Sequence, residues 1–190
     1  MEAIVRFALE LVAGGASLIQ YRNKSGSSPE ILVHGRELRR AVGDRATLIM
    51  NDRADLCLAA AFDGVHLGQD DLSPDAVHRI FQEAGASNLW IGFSTHNPDQ
   101  IRQVETMPVD YVAIGPVFAT NSKANPDPVV GLEGVRLARQ LTAKPLVAIG
   151  GITRQNCAEV MAAGADAVAV IGDVVKSPRK STEEFLGVLG

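Results

Sequence analysis

The stretch "SLIQYRNKSG", residues 17–26, starts as an apolar run and ends on two cations. Gln20, Arg22 and Lys24 occupy alternate positions. Alternate side chains of a strand share a face. Three polar or cationic groups would therefore line one side of a segment otherwise suited to burial. Unpaired buried charge is costly, so the pattern calls for an anionic partner. The residues after this strand decide the type of sheet. No Gly-x-Gly-x-x-Gly fingerprint comes after it, and the chain contains no P-loop. The next segment, "PEILVHGRELRRAV" (29–42), is a helix instead.

The same strand–helix unit recurs along the chain. "TLIMND" (47–52), "GVHLGQ" (64–69), "LWIGFS" (89–94), "YVAIGP" (111–116), "PLVAIGG" (145–151) and "DAVAVIGD" (166–173) are short apolar strands. Helical stretches alternate with them, among them "RADLCLAAAF" (53–62), "SPDAVHRIFQEAG" (73–85) with Ser73 as N-cap, and "TRQNCAEVMAAGA" (153–165) with Thr153 as N-cap. Short apolar strands covered on both faces belong to parallel sheets. Without a dinucleotide fingerprint, the expectation is an α/β fold of the TIM (β/α)8 barrel type, as one domain over residues 1–190. Only seven strands are present, and the chain opens on the helix "IVRFALELVAGGA" (4–16). The first strand of the barrel is thus expected to be lacking. Its neighbours would be left as edges open to pairing with another chain.

Composition narrows the function classes. Net charge is -4 with 46% hydrophobic residues, which argues against nucleic acid as a partner. No apolar run has membrane-spanning length, and the N-terminus lacks the basic region of a signal peptide. Cys57 and Cys157 have no metal-ligand spacing and suit buried thiols in the cytoplasm.

Polar residues collect at the C-terminal ends of the strands, where barrel enzymes carry their sites. They include Asn51 and Asp52, Asp70 and Asp71, Ser94 with Thr95 and His96, and the segment Thr120, Asn121, Ser122, Lys123. The Gln20/Arg22/Lys24 cluster reads either as an ion-pair partner for neighbouring carboxylates or as a diphosphate clamp. Asp52 and Asp71 suit a magnesium ion shared with phosphates, although Asp52 could instead cap the helix after it. Gly150, Gly151 and Gly172 read as tight turns or as amide donors for a second phosphate. His66, inside a strand, reads as a satisfied core residue. No catalytic triad can be assembled. The loop "VFATNSKANPDPVV" (117–130) is long for a compact barrel. Its single cation, Lys123, reads either as a solvated surface group or as a contact to a departing anion.

The motifs "QYRNK", "NDRADLCLAAAFDGVHLGQDDL", "IGFSTHN", "YVAIGPVFATNSK" and "VAIGGIT" occur in order along the chain. In these the chain resembles the thiamine-phosphate synthase (thiamine-phosphate pyrophosphorylase) family over essentially its full length. The resemblance implies a Mg2+-assisted transferase of thiamine biosynthesis. It would join hydroxymethylpyrimidine diphosphate to thiazole phosphate and release pyrophosphate. It implies that Gln20, Arg22, Lys24, Asn51, Ser94 and Lys123 hold the pyrimidine diphosphate, with Lys123, Arg22 and Ser94 acting in catalysis. Asp52 and Asp71 would hold magnesium, with Asp70 a lesser acid. Thr120, Ser122 and the backbone at Gly151, Ile171 and Gly172 would hold the thiazole phosphate. Both partners are then small molecules, and self-association is left open. Three features depart from the family pattern: the absent first strand, Ser122 in place of threonine, and Gly172-Asp173 in place of Ser-Ala. A thiazole tautomerase-like isomerase and a non-catalytic phosphate-binding module are the alternatives.

Overall fold

The computed structural model describes residues 1–120 and 127–190. Its strands are β1 (Leu18–Tyr21), β2 (Thr47–Asn51), β3 (Gly64–Leu67), β4 (Trp90–Thr95), β5 (Tyr111–Ile114), β6 (Leu146–Ile149) and β7 (Ala167–Ala169). They form one seven-stranded sheet in sequence order, and every pairing is parallel. The helices are α1 (Glu2–Ala13), α2 (Ser28–Val42), α3 (Ala54–Ala59), α4 (Pro74–Glu83), α5 (Pro98–Val104), α6 (Gly131–Leu141), α7 (Cys157–Ala162) and α8 (Pro178–Leu189). Among the described residues this is a TIM-type α/β barrel that lacks one strand, and β1 and β7 each pair on one side only.

Residues 2–13 are helical, so the expectation that they supply no strand is met. Ala8 is buried, and Ile4, Phe7 and Leu11 pack on the core from the same stripe of α1. α1 lies against both α2 and α8. The approach to α8 is tight: a Cβ on Gly14 would sit 2.5 Å from the Arg179 carbonyl oxygen. The outer ring of helices is therefore continuous where the sheet is open.

The two faces of the sheet follow from contacts and period. Tyr21 bonds His34 of α2, and Met50 lies beside Gly35 of the same helix, so both point outward. Gln20, Ile49 and Asn51 then face the barrel interior. Register carries that face onward. Asn51 pairs with His66, His66 with Gly92, and Gly92 with Tyr111. Ser73 caps α4 as expected, accepting from the Ala76 N–H. Thr153 does not cap α7. A turn intervenes, and the Asn156 side chain accepts from the Thr153 N–H instead.

One device recurs at the N-terminal ends of the strands. Asp63, Asp110 and Asp166 each stand just before an odd-numbered strand. Their carboxylates accept from the N–H of Leu48 at 2.6 Å, Ile91 at 2.7 Å and Leu146 at 2.8 Å, at or near the start of the preceding strand. Their backbone N–H groups donate to the carbonyls of those same residues. Each aspartate thus ties two strands by a closed pair of bonds. Arg39 and Arg139 add ion pairs to Asp63 and Asp166. Asp63→Ala strands the Leu48 N–H and removes the Arg39 ion pair, leaving Arg39 its bonds to the Ala61 and Gly43 carbonyls. It should lower stability by about 1–2 kcal/mol, read as a lower urea midpoint at unchanged slope. An unchanged midpoint would remove the clasp from the account of stability.

Candidate active site

The strand ends bring several of the expected residues together. Lys24 Nζ lies 2.8 Å from Asp52 Oδ2. The Asp71 carboxyl accepts from the Gly68 N–H at 2.8 Å and lies within electrostatic reach of Asp52. Burial, with the like charge of Asp52, holds the Asp71 carboxyl above the usual carboxylate range. The Gly68 N–H pulls the other way. Asp52 has φ 63°, a left-handed conformation uncommon outside glycine. It does not cap α3, whose N-cap is Arg53 without a side-chain cap bond. The turn at Asp52 serves to aim a carboxylate at Lys24 and Asp71. The ion-pair reading of the cationic cluster therefore holds for Lys24. Arg22 is exposed at the end of β1 and makes no ion pair among the described residues.

Gln20 and Asn51 share the interior face with Ser94, which lies near the C-terminal end of β4. The expectation for His66 needs enlarging. It is a satisfied core residue, but one of its partners is a site residue. Its Nε2 is 2.8 Å from Ser94 Oγ, and its Nδ1 is 2.9 Å from Tyr111 Oη. Burial pushes the imidazole down to about 4, with the Asp71 charge working weakly against the shift. Burial also holds the Tyr111 hydroxyl above its ordinary value. Gln69 Nε2 donates to the Ser94 carbonyl at 2.6 Å. His96 braces the backbone, its Nδ1 2.6 Å from the Gly115 carbonyl and its Nε2 3.5 Å from Asp127.

On the opposite side lie Gly151, Ile171 and Gly172. Gly150 and Gly151 have φ of 98° and 65°, and a Cβ on either would strike the Pro116–Ala119 backbone or side chains. Close packing alone therefore accounts for this glycine pair. The Gly151 and Ile171 N–H groups meet no protein acceptor among the described residues, which leaves them available to an anion. Asp173, an acid next to this site, is turned away. Arg154 binds it through Nε at 2.9 Å, Nη2 at 3.1 Å and its own backbone N–H at 3.0 Å, and also bonds Glu184. Arg154 holds the Asp173 carboxyl below the usual carboxylate range. Thr120 is described, whereas Ser122 and Lys123 lie outside the described residues.

A family model described as thiamine monophosphate synthase matches residues 1–174. The chain belongs to the thiamine monophosphate synthase family. It is 56% identical to the thiamine-phosphate synthase of Koribacter versatilis, over all of this chain and 88% of that relative. It is 46% identical to that of Methanoregula boonei, over 92% of this chain and 78% of the relative. A solved thiamine phosphate pyrophosphorylase from Pyrococcus furiosus superposes with a TM-score of 0.87 at 35% identity, covering 97% of this chain and 88% of that one. Among the described residues, no group of three or more His, Cys, Asp or Glu could hold a metal. No helix there is long and apolar enough to cross a membrane. An ion at Asp52 and Asp71 would therefore complete its coordination from ligand and water, as magnesium does.

Arg154 suggests a direct test within this family site. Arg154→Ala frees the Asp173 carboxylate beside the amide donors. It should weaken binding of a phosphate monoester several-fold. Arg154→Ala/Asp173→Asn should recover part of the loss, because the repelling charge is gone. Calorimetric titration reads both, and equal affinities for the two variants would sink the idea.

Proposed function

We propose that the chain joins hydroxymethylpyrimidine diphosphate to thiazole phosphate, forming thiamine phosphate and pyrophosphate. The observation that carries this reading is the Lys24–Asp52–Asp71 cluster at the strand ends of a family member, with Arg22 beside it and outside any ion pair among the described residues. Two carboxylates that repel each other around one cation are suited to receiving a further cation together with a polyanion. Asp52 and Asp71 would hold a magnesium ion, which when bound supplies neutralisation of charge on the leaving group.

In the reaction the bond from the pyrimidine methylene carbon to the bridging oxygen breaks, and its electron pair leaves with pyrophosphate. The electron-rich aminopyrimidine shares the positive charge left on carbon. The lone pair of the thiazole nitrogen then forms the new bond. This chemistry asks for positioning and charge neutralisation more than for a general base. Arg22 and Lys24 oppose the charge growing on pyrophosphate. Gln20 and Asn51 orient the pyrimidine diphosphate from the interior face, and Ser94 donates to it. Thr120 and the amides at Gly151, Ile171 and Gly172 hold the thiazole phosphate. Ser122 and Lys123 enter through the family motif alone, as a phosphate contact and a leaving-group contact. The buried, unpaired Cys57 and Cys157 fit a cytoplasmic enzyme. A tautomerase-like isomerase would have no use for the cationic clamp, and a passive binding module none for the paired carboxylates.

Incubation with both phosphorylated substrates and Mg2+ should yield thiamine phosphate and pyrophosphate in equal amounts, and chelation should stop it. Absence of both products would overturn the reading. Asp71→Asn should keep the fold, because the side chain lies in the loop beyond β3, and should raise the Mg2+ concentration needed for half-maximal rate. Full activity of this variant at limiting Mg2+ would remove Asp71 from the metal site. Lys123→Ala should slow single-turnover bond cleavage about 10²-fold with little change in substrate affinity. An unchanged cleavage rate would return Lys123 to the surface.

A further inference from the structure

We propose that Tyr111 and His66 are positioning residues that set the direction of the Ser94 hydroxyl, so that Ser94 faces the leaving diphosphate as a hydrogen-bond donor. This rests on the synthase reading above for the identity of the anion. The direction of the hydroxyl rests on geometry alone.

The three side chains come from β5, β3 and β4, and the register brings them together. His66 and Tyr111 flank Gly92 in one interior row. Gly92 contributes no side chain, and a Cβ there would lie 2.1 Å from Tyr111 Cζ. The empty position lets the two rings stack across it, with centroids 5.5 Å apart and planes 27° from parallel. Both residues are only 8% exposed. A space left by one glycine is thus filled by a hydrogen-bonded pair whose far end is Ser94.

Proton counting then gives the chain a polarity. A buried tyrosine hydroxyl has a proton that needs an acceptor. Among the described residues the acceptor within reach is His66 Nδ1, at 2.9 Å. A nitrogen that accepts carries no proton, so the neutral ring bears its proton on Nε2. That N–H faces Ser94 Oγ at 2.8 Å and donates to it. The Ser94 oxygen is then an acceptor toward His66, and its own proton must point elsewhere. Ser94 lies on the interior face near the C-terminal end of β4, on the side of the site residues. Its hydroxyl therefore offers a donor to the ligand. Because its oxygen already accepts a bond, that donor is strengthened by the chain behind it. No proton changes hands. The pair orients a dipole before charge develops, which is what stabilisation of a growing anion requires.

The opposite polarity has a different consequence. With the proton on Nδ1, Ser94 would donate to His66 and turn a lone pair toward the diphosphate. Two oxygen lone pairs would then face each other where negative charge accumulates. The Tyr111 hydroxyl is the group that separates these outcomes.

The test uses the full chain with ¹⁵N-labelled histidine. The four histidines are few enough for His66 to be assigned by its loss in His66→Gln. Long-range ¹H–¹⁵N correlation should show the Nε2–H tautomer for His66 in the unliganded protein. In Tyr111→Phe, population should move toward Nδ1–H. In turnover, Tyr111→Phe should lower kcat about tenfold with KM for both substrates nearly unchanged. In a Ser94→Ala background, Tyr111→Phe should cost nothing further. An Nδ1–H tautomer or an imidazolium in the wild-type chain overturns the proposal whatever the activity. So does Tyr111→Phe that loses thermal stability but keeps kcat. A wild-type chain that forms no thiamine phosphate overturns the synthase reading instead. The tautomer then decides the hydroxyl direction by itself.

Discussion

The parallel register from β2 to β5 sets Asn51, His66, Gly92 and Tyr111 side by side on the interior face. Because side chains alternate with a period of two, a slip of one residue in any of these strands would turn the row toward the helices. His66 would then lose Ser94, and Asn51 would leave the mouth of the sheet. The same register sends Val65, Met50 and Val112 outward, into the core shared with the helices. The geometry of the candidate site and the hydrophobic packing are therefore fixed by one alignment. The aspartate clasps at Asp63, Asp110 and Asp166 reinforce it at the other end of the strands.

At the mouth, like charges are crowded together. Asp52 and Asp71 are like charges within electrostatic reach of each other, and among the described residues Lys24 is ion-paired with Asp52. Burial, with the like charge of Asp52, raises the pKa of Asp71, against the pull of the Gly68 N–H. The left-handed backbone at Asp52 belongs to the same arrangement. Across the mouth the balance is reversed. Arg154 takes up the charge of Asp173, so that the carboxylate is held away from the amides after β6 and β7.

The open seam between β1 and β7 places its own limits. Leu18 shares the interior face with Gln20 and is 43% exposed, as expected for a residue with a neighbouring strand on one side only. α1 spans α2 and α8 outside the seam, so hydrophobic burial by the helical layer does not require sheet closure. The seam runs beside Gln20 and Arg22, which leaves that side of the mouth more open to solvent.

The alternation of short apolar strands with amphipathic helices was enough to establish a parallel barrel with one strand lacking. Burial on both faces points to a parallel sheet, and the missing dinucleotide fingerprint favours the barrel over a doubly wound sheet. The strand-end polar residues were legible for a related reason: in a parallel barrel every strand delivers its C-terminal end to one rim. Three things were not legible. Thr153 has the residue type of a cap, but the turn before α7 moves the helix start to Cys157, because the Asn156 side chain captures the Thr153 N–H. Asp173 reads as a repelling charge until Arg154, 19 residues earlier, reaches it through space. His66 and Tyr111 lie 45 residues apart and meet only because Gly92 between them has no side chain. Local periodicity determined the faces and ends of each element, since those depend on neighbours in the chain. Which polar groups neutralise, orient or vacate space for one another depends on register between strands, and only the tertiary structure decided that.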